Sequence, residues 1–471
     1  MLNPDPSAIA AQESSHEISE CVSIASSVTR KQAPSVASTV LSKEKSNQEY
    51  EFKNDLEGVD ETEDLPDGGY GWFVVLGTFM TQFTSFGTSA CWGKCILQDY
   101  LDVNMFQNKT TNSQFKLSFV GTLLEVCTTL CGPLAQIISS QFGTKTVLII
   151  GTILATLGLE LASLGTELWH FYLTVGVMFG CGASLLFVTG MGTTPLWFNK
   201  RRGIATGIAS GGTGIGGVIL PFVITPLNES LGIAWTFRIM GFICLVCDVI
   251  ACVFVKDKVS VKKQAGERSL KHIFDFSILK DINFLLWTCG SVISSMGYFI
   301  PFFFLPAYAT YLGLSASQSS ALIAVMSACS FIGRILVGYI GDRIGRLNAN
   351  IIFTFCCSLT NFLIWTFAYS YGSLMAYSAL FGLFCASYFS MMTTITAAIL
   401  SPEQYRTGVS TLLLSNTVSV LGITIAGAVE ASLKNTEPYF SYKMFTGVVY
   451  LVGGIILVAL KIRIKGLFAK F

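Results

Sequence analysis

Phe331–Arg346 reads FIGRILVGYIGDRIGR, and its reading decides the class of the chain. The first half is the tail of an apolar segment that carries an arginine, Arg334, at membrane depth. The second half is a glycine-punctuated loop with charges of both signs: Gly338, Asp342, Arg343, Gly345 and Arg346. An apolar helix that empties into such a loop belongs at a membrane–water boundary, with its arginines on the cytosolic side.

Composition agrees with that boundary. The chain has 471 residues, 52% of them hydrophobic and 13% charged, with a mean hydropathy of +0.59. A soluble protein of this size carries roughly 25% charged residues, so the missing charge points to a polytopic membrane protein. The net charge of +1 gives no nucleic-acid footprint. Of the 14 cysteines only Cys21 lies outside the apolar part, and the rest sit among apolar residues as small hydrophobes. No disulfide framework, zinc site, cofactor or catalytic cluster is expected.

Hydropathy divides the chain further. Residues 1–66 are polar, rich in Ser, Ala, Gln and Val and then acidic, and read as a disordered cytosolic tail. A regulatory use of the tail, by phosphorylation or by ubiquitin on Lys43, Lys45 or Lys53, stands beside a plain solvated leader. No signal peptide is evident, so the first helix is expected to serve as the insertion signal. Apolar segments near the ~20 residues of a spanning helix follow at 71–94, 117–139, 146–164, 170–192, 203–224, 237–255, 283–307, 318–341, 349–369, 374–399, 408–430 and 442–464. The charged stretch 256–281 separates them six from six. The expected fold is an all-α membrane protein of twelve transmembrane helices in two six-helix bundles, 67–255 and 282–471, joined by a cytosolic linker.

Charge placement sets the orientation. With the amino terminus inside, cytosolic stretches hold Lys145, Lys200–Arg202, the lysines and arginines of the linker, Arg343, Arg346, Arg406 and the basic end after Ala459. Outer loops hold few: Lys109, Lys116, Arg238, Lys434 and Lys443. Both termini are therefore expected in the cytosol. The two N-x-S/T sequons, at Asn108 and Asn228, fall on the predicted outer face as glycosylation candidates. The Gly143-Thr144-Lys145 turn and the basic stretch at Arg202 have echoes at matching offsets, in Gly345-Arg346 and at Arg406, which suggests duplicated halves. In such transporters the substrate site lies near the midplane where the halves meet.

The loop Gly338–Arg346 resembles the cytoplasmic signature of the major facilitator superfamily. The resemblance places Asp342 against the cytosolic start of the fifth segment, near Arg202 and Gly203, as a latch favouring one state of the cycle. A plain short loop with positive-inside charge is the alternative. Two further motifs, PDGGYGW at Pro66–Trp72 and WFNKRRGIATG at Trp197–Gly207, resemble those of the monocarboxylate transporter family. Gly297-Tyr298-Phe299-Ile300-Pro301, Tyr308-Ala309 and Arg334 look like its fungal branch, similar to monocarboxylate permease homologues of which one carries riboflavin. The resemblance covers about residues 66–464. It implies transport of a small organic solute, with or without a proton, by a monomeric functional unit. The plasma membrane is the implied location, with the vacuolar membrane as the alternative.

Ionisable groups at membrane depth are costly to insert, of order 2.5–3.5 kcal/mol, and are functional candidates by default. Arg334 stands about ten ångströms from the cytosolic end of its helix at 1.5 Å per residue, deep enough to hold an anionic substrate group or an internal ion pair. Animal members of the resembled family carry an Asp one turn earlier, where this chain has Ser330, which removes that Asp/Arg pair from any coupling scheme here. Asn416 lies at a similar depth and either shares the site or joins helices. Lys94 is a substrate candidate or a snorkelling, paired residue; the substrate lysine of the animal members falls on Ala90. Glu125 is the candidate proton carrier and a candidate partner for Lys94. Tyr298 and Phe299 are candidate stacking residues, whereas Phe302, Phe303 and Phe304 are expected to pack. His170, beside Trp169, reads as an interfacial residue. The glycine run from Gly203 to Gly217 lacks the strand and ribose-binding acid of a dinucleotide site and reads as a close-packing helix seam. A nutrient sensor on a transporter fold is the alternative function.

Overall fold

The computed structural model describes residues 68–92, 97–106, 113–256, 276–401, 404–433 and 437–465. The tail 1–66, Asp67, Lys94, Asn108 and most of the linker lie outside the described residues, as does the side chain of Arg406. Every described element is helical. The first, α1, is a continuous helical run over 71–90, with a π-helical stretch at Phe83–Gly87. Ten helices follow that are long and apolar enough to cross a membrane: α2 Lys116–Phe142, α3 Thr144–Ala162, α4 Leu168–Trp197, α5 Arg202–Phe254, α6 Ile282–Tyr311, α7 Ser317–Ile344, α8 Arg346–Phe367, α9 Tyr371–Ile399, α10 Thr407–Ser432 and α11 Phe440–Ile464.

Helix α5 is one run by hydrogen bonding but two by direction. Gly232 breaks it with φ 78° and ψ 168°, a conformation open to a residue without a Cβ, and two arms result, 202–231 and 233–254. Gly143 (φ 84°) and Gly345 (φ 105°) do the same between α2 and α3 and between α7 and α8. Each turn consists of that single glycine, so the two halves reverse direction by the same device at corresponding places. Outward faces are apolar: Phe222, Phe142, Phe242, Val246 and Ile462 are among many large exposed hydrophobic side chains. A helix satisfies its own backbone groups, which leaves such faces free to meet lipid.

The two halves meet along glycines. On the first arm of α5, a Cβ added at Gly203 would lie 2.6 Å from the Gly338 carbonyl oxygen, and one at Gly207 would lie 2.4 Å from that of Arg334. Gly211 and Gly214 meet Phe331, and Gly217 meets Ser327. The register climbs α5 while descending α7, so the pair is antiparallel, with α7 backbone atoms met at Gly203, Gly207 and Gly214 and side chains at Gly211 and Gly217. The opposite face of the same arm packs on α1, with Gly212 against the Phe79 carbonyl and Gly216 against Gly87. A second junction joins α2 to α10, where Thr417 Oγ1 donates to Thr129 Oγ1 at 3.0 Å and Leu413 covers Gly132.

Candidate functional site

Above the seam the helices part around a cavity of about 130 Å³. An apolar cavity of ~150 Å³ is enough to take up benzene, so this one suits a small planar body. Phe86 and Ser89 of α1, Glu125 of α2, and Thr213 and Pro221 of α5 form one wall. The facing wall comes from the other half: Tyr298, Phe299, Phe302 and Phe303 of α6, with Ile323, Ser327, Ser330 and Arg334 of α7. On α7 the spacing 323, 327, 330, 334 is one helical stripe, which places the arginine at the deep end of a hydroxyl-lined strip. Phe302 and Phe303 line the cavity, contrary to the expectation that they only pack. Phe304 does pack, stacked on Tyr442 with ring centroids 3.9 Å apart.

Arg334 is 3% exposed. Its guanidinium donates to the Ser210 carbonyl across the halves at 3.2 Å, to the Tyr298 hydroxyl at 3.4 Å and, at the longer distance of 3.5 Å, to Ser330 Oγ. All three acceptors are neutral. Among the described residues no carboxylate lies within salt-bridge distance of it. Neutral acceptors satisfy donors but leave the charge uncompensated, and a bidentate fork of this kind matches a carboxylate. Glu125 stands in the same cavity with Oε2 buried and unpartnered.

The remaining sequence candidates are placed as follows. Asn416 is 3% exposed with Oδ1 unpartnered, but it stands beside the α2–α10 junction and not on the cavity wall. Asn228 is 3% exposed, and its burial leaves no room for a glycan in this conformation. An acid that was not among those candidates, Asp248, is 0% exposed and accepts from Thr84 Oγ1 at 2.7 Å, which ties the second arm of α5 to the π-helical stretch of α1. The His170 ring accepts from the Thr166 and Glu167 N–H groups and caps the start of α4.

At the far end of the α5–α7 seam, Asp342 accepts the backbone N–H groups of Gly203 (2.9 Å) and Ile204 (3.0 Å) at the start of α5. A carboxylate at a helix N-terminus satisfies orphan donors and meets the positive end of the dipole. Arg346 pairs with Asp342 at 3.6 Å and reaches the Asn199 carbonyl at 3.5 Å, and Arg343 lies over the Tyr339 ring at 4.3 Å. Arg202 donates to the Phe198 carbonyl at 2.9 Å. Gly338 is held against the Gly203 carbonyl, 2.3 Å from where its Cβ would stand. Sequence reasoning missed Ser327, Thr213, Phe86 and Ser89; the stripe on α7 was the signal available for Ser327, and the others needed the packing of α1 and α5.

An all-helical chain whose helices part around an internal cavity agrees with its similarity to known proteins. The profile of the Major Facilitator Superfamily matches residues 74–373 and 288–465. The chain belongs to that superfamily. Its relatives include the MFS-type transporter opdF of Penicillium oxalicum, 29% identical over 85% of this chain and 93% of that one. The Fujikurins efflux protein of Gibberella fujikuroi is 30% identical over 83% of each chain. Among solved structures, the proton:xylose symporter XylE superposes with a TM-score of 0.66 at 13% identity, over 83% of this chain and 95% of that one. The transporter FucP in its outward conformation superposes with a TM-score of 0.63 at 15% identity, over 82% of this chain and 98% of that one. Relatives and fold alike are those of multi-pass membrane transporters, which are not enzymes.

Proposed function

We propose that this chain is a twelve-span secondary transporter with both termini in the cytosol, moving a small organic anion with a planar apolar body by alternating access. The two arms of α5 and the run 71–90 bring the ten long helices to twelve. The observation that carries the substrate class is the uncompensated guanidinium of Arg334 at the base of an aromatic cavity between the halves. Tyr298, Phe299, Phe302 and Phe303 supply the surface for the planar part, and Glu125 is the group to exchange a proton where transport is proton-coupled. A monocarboxylate supplies the charge for Arg334, whereas a riboflavin-like compound, uncharged at neutral pH, matches only the aromatic surface and is the second candidate. By the Lys/Arg placement the end of the seam at Asp342 is cytosolic, so Asp342, Arg346 and the start of α5 form the inner gate in its closed state. Relatives named as efflux proteins favour export. The plasma membrane is then the natural location, with the vacuolar membrane as the other option.

The test is flux through vesicles carrying the purified full chain, across lactate, pyruvate, larger carboxylates and riboflavin, with and without a pH gradient. Transport of one of these by the wild type, lost in Arg334→Ala, supports the reading. An Arg334→Ala variant with wild-type rate and affinity removes Arg334 from the site. Absence of flux with ligand-dependent signalling through the tail would instead favour a nutrient sensor.

A further inference from the structure

Two groups of opposite charge line the same cavity, and neither cancels the other. Glu125 lines it from α2 and is partly exposed, with Oε2 buried and without a partner. Arg334 lines it from α7 with three neutral acceptors on its guanidinium. Among the described residues they are the only carboxylate and the only cation on its wall, and no ion pair joins them.

Their levels differ. At 1.5 Å per residue Glu125 lies ~26 Å from the end of α2 that turns at Gly143, and Arg334 ~15 Å from the end of α7 that turns at Gly345. These turns occupy corresponding places in the two halves, so the acid stands roughly 10 Å farther from them than the arginine does. Packing gives the same order. Gly121 of α2 meets Trp92, Gly87 of α1 meets Gly216, and Gly217 of α5 meets Ser327. These contacts set the Glu125 turn of α2 level with Ser327, two helical turns from Arg334.

A simple anion satisfies Arg334 and leaves the Glu125 carboxylate unpaired, so the loaded cavity is neutral only when Glu125 takes a proton. A molecule with charges of both signs satisfies both groups at once, and an unpaired buried charge is the costly alternative. The three donors of an ammonium find acceptors here: the Glu125 carboxylate and Ser89 Oγ, whose own proton goes to the Ser85 carbonyl at 3.0 Å. We propose that the cavity carries zwitterions with an ammonium and a carboxylate at opposite ends of an aryl body, Glu125 holding the ammonium and Arg334 the carboxylate. The proposal rests on the cavity being the transport site and narrows its substrate class. For such a substrate Glu125 remains ionised, and the substrate's own positive charge replaces the proton that accompanies a simple anion.

The test compares 4-(aminomethyl)benzoate with 4-ethylbenzoate, which has the same outline and no positive charge. Exchange of each is measured at equal pH on both sides of vesicles carrying the purified full chain, over vesicles without protein. The wild type is expected to exchange both. Glu125→Gln is expected to lower the ratio of 4-(aminomethyl)benzoate to 4-ethylbenzoate exchange by about tenfold, the scale of one charge-assisted hydrogen bond. Glu125→Asp keeps the charge and is expected to fall between the two. An unchanged ratio in Glu125→Gln protein overturns the proposal. So does a wild type that exchanges 4-ethylbenzoate through Arg334 and excludes 4-(aminomethyl)benzoate, an outcome that leaves the anion reading of the cavity standing. Should Glu125→Gln exchange neither probe, competition in the wild type decides. There 4-(aminomethyl)benzoate is expected to inhibit exchange of labelled 4-ethylbenzoate at least as strongly as unlabelled 4-ethylbenzoate does, and weaker inhibition overturns the proposal. Exchange of neither probe by the wild type overturns it together with transport of aryl anions.

Discussion

At the scale of single residues, two ionisable side chains face one cavity from opposite halves of the molecule. Arg334 spends its donors on two hydroxyls and a carbonyl, none of which carries charge. Charge-assisted hydrogen bonds are worth about 1.5–3 kcal/mol each, so Arg334→Ala is expected to weaken binding of the carried anion by at least about tenfold in a direct binding measurement. Arg334→Lys keeps the charge without the fork and is expected to fall between the two. Glu125 presents a buried oxygen with no partner, an arrangement that is costly for an isolated charge. For a proton-coupled substrate, Glu125→Gln is expected to abolish accumulation driven by a pH gradient while exchange at equal pH persists. Gradient-driven accumulation in that variant would move the coupling elsewhere. Both residues were visible in the sequence as charges inside apolar segments. The neutrality of Arg334's partners was not, because Ser210 and Tyr298 come from other helices.

At the scale of elements, the decisive pair is α5 on α7. Five glycines of α5 face α7 without side chains of their own, so two backbones approach as closely as carbonyl oxygens and Cα atoms permit. Such contact stores little side-chain interlocking, which suits surfaces that must separate and re-form in each cycle. Gly207→Leu puts a branched side chain where even a Cβ falls 2.4 Å from the Arg334 carbonyl. Overpacking of this kind costs about 1–3 kcal/mol. The variant is expected to unfold at lower temperature and to expose cysteines introduced on the cytosolic half of the seam to aqueous alkylating reagents. Unchanged alkylation rates would show that the seam is not the closing surface. The glycine periodicity of α5 was readable in the chain and pointed to close packing. The identity of the partner helix was not, since any small-residue stripe or carbonyl row accepts such a face.

At the scale of the whole molecule, the halves are joined by the α5–α7 seam, the α2–α10 junction and a bridge between Ser210 and Ser390, whose hydroxyls lie 2.9 Å apart. All of these must open if the cavity is to face the other way. Ser210→Cys with Ser390→Cys, in a chain whose native cysteines are replaced, is expected to cross-link on oxidation and to stop transport, with recovery on reduction. Transport that continues in fully cross-linked protein would exclude a rocking of one half against the other about these contacts. In the proposed cycle Asp342, set on the N-terminus of α5, contributes a small capping energy of about 0.5–2 kcal/mol and is expected to bias the closed state without locking it.

The sequence by itself determined that the chain is helical, apolar and repeatedly membrane-crossing. Hydropathy is a local property, and the inside rule reads off the ends of each segment. It also marked Arg334, Glu125, Asp342 and the glycine run, because a charge or a missing side chain inside an apolar helix is conspicuous in one dimension. Only the tertiary structure decided what those residues face. It brought Glu125 and Arg334 to one cavity, left Asn416 off its wall and buried Asn228. It turned Phe302 and Phe303 inward. A helix wholly surrounded by apolar neighbours has no amphipathic pattern to orient it, so the direction in which each side chain points is fixed by packing between helices far apart in the chain.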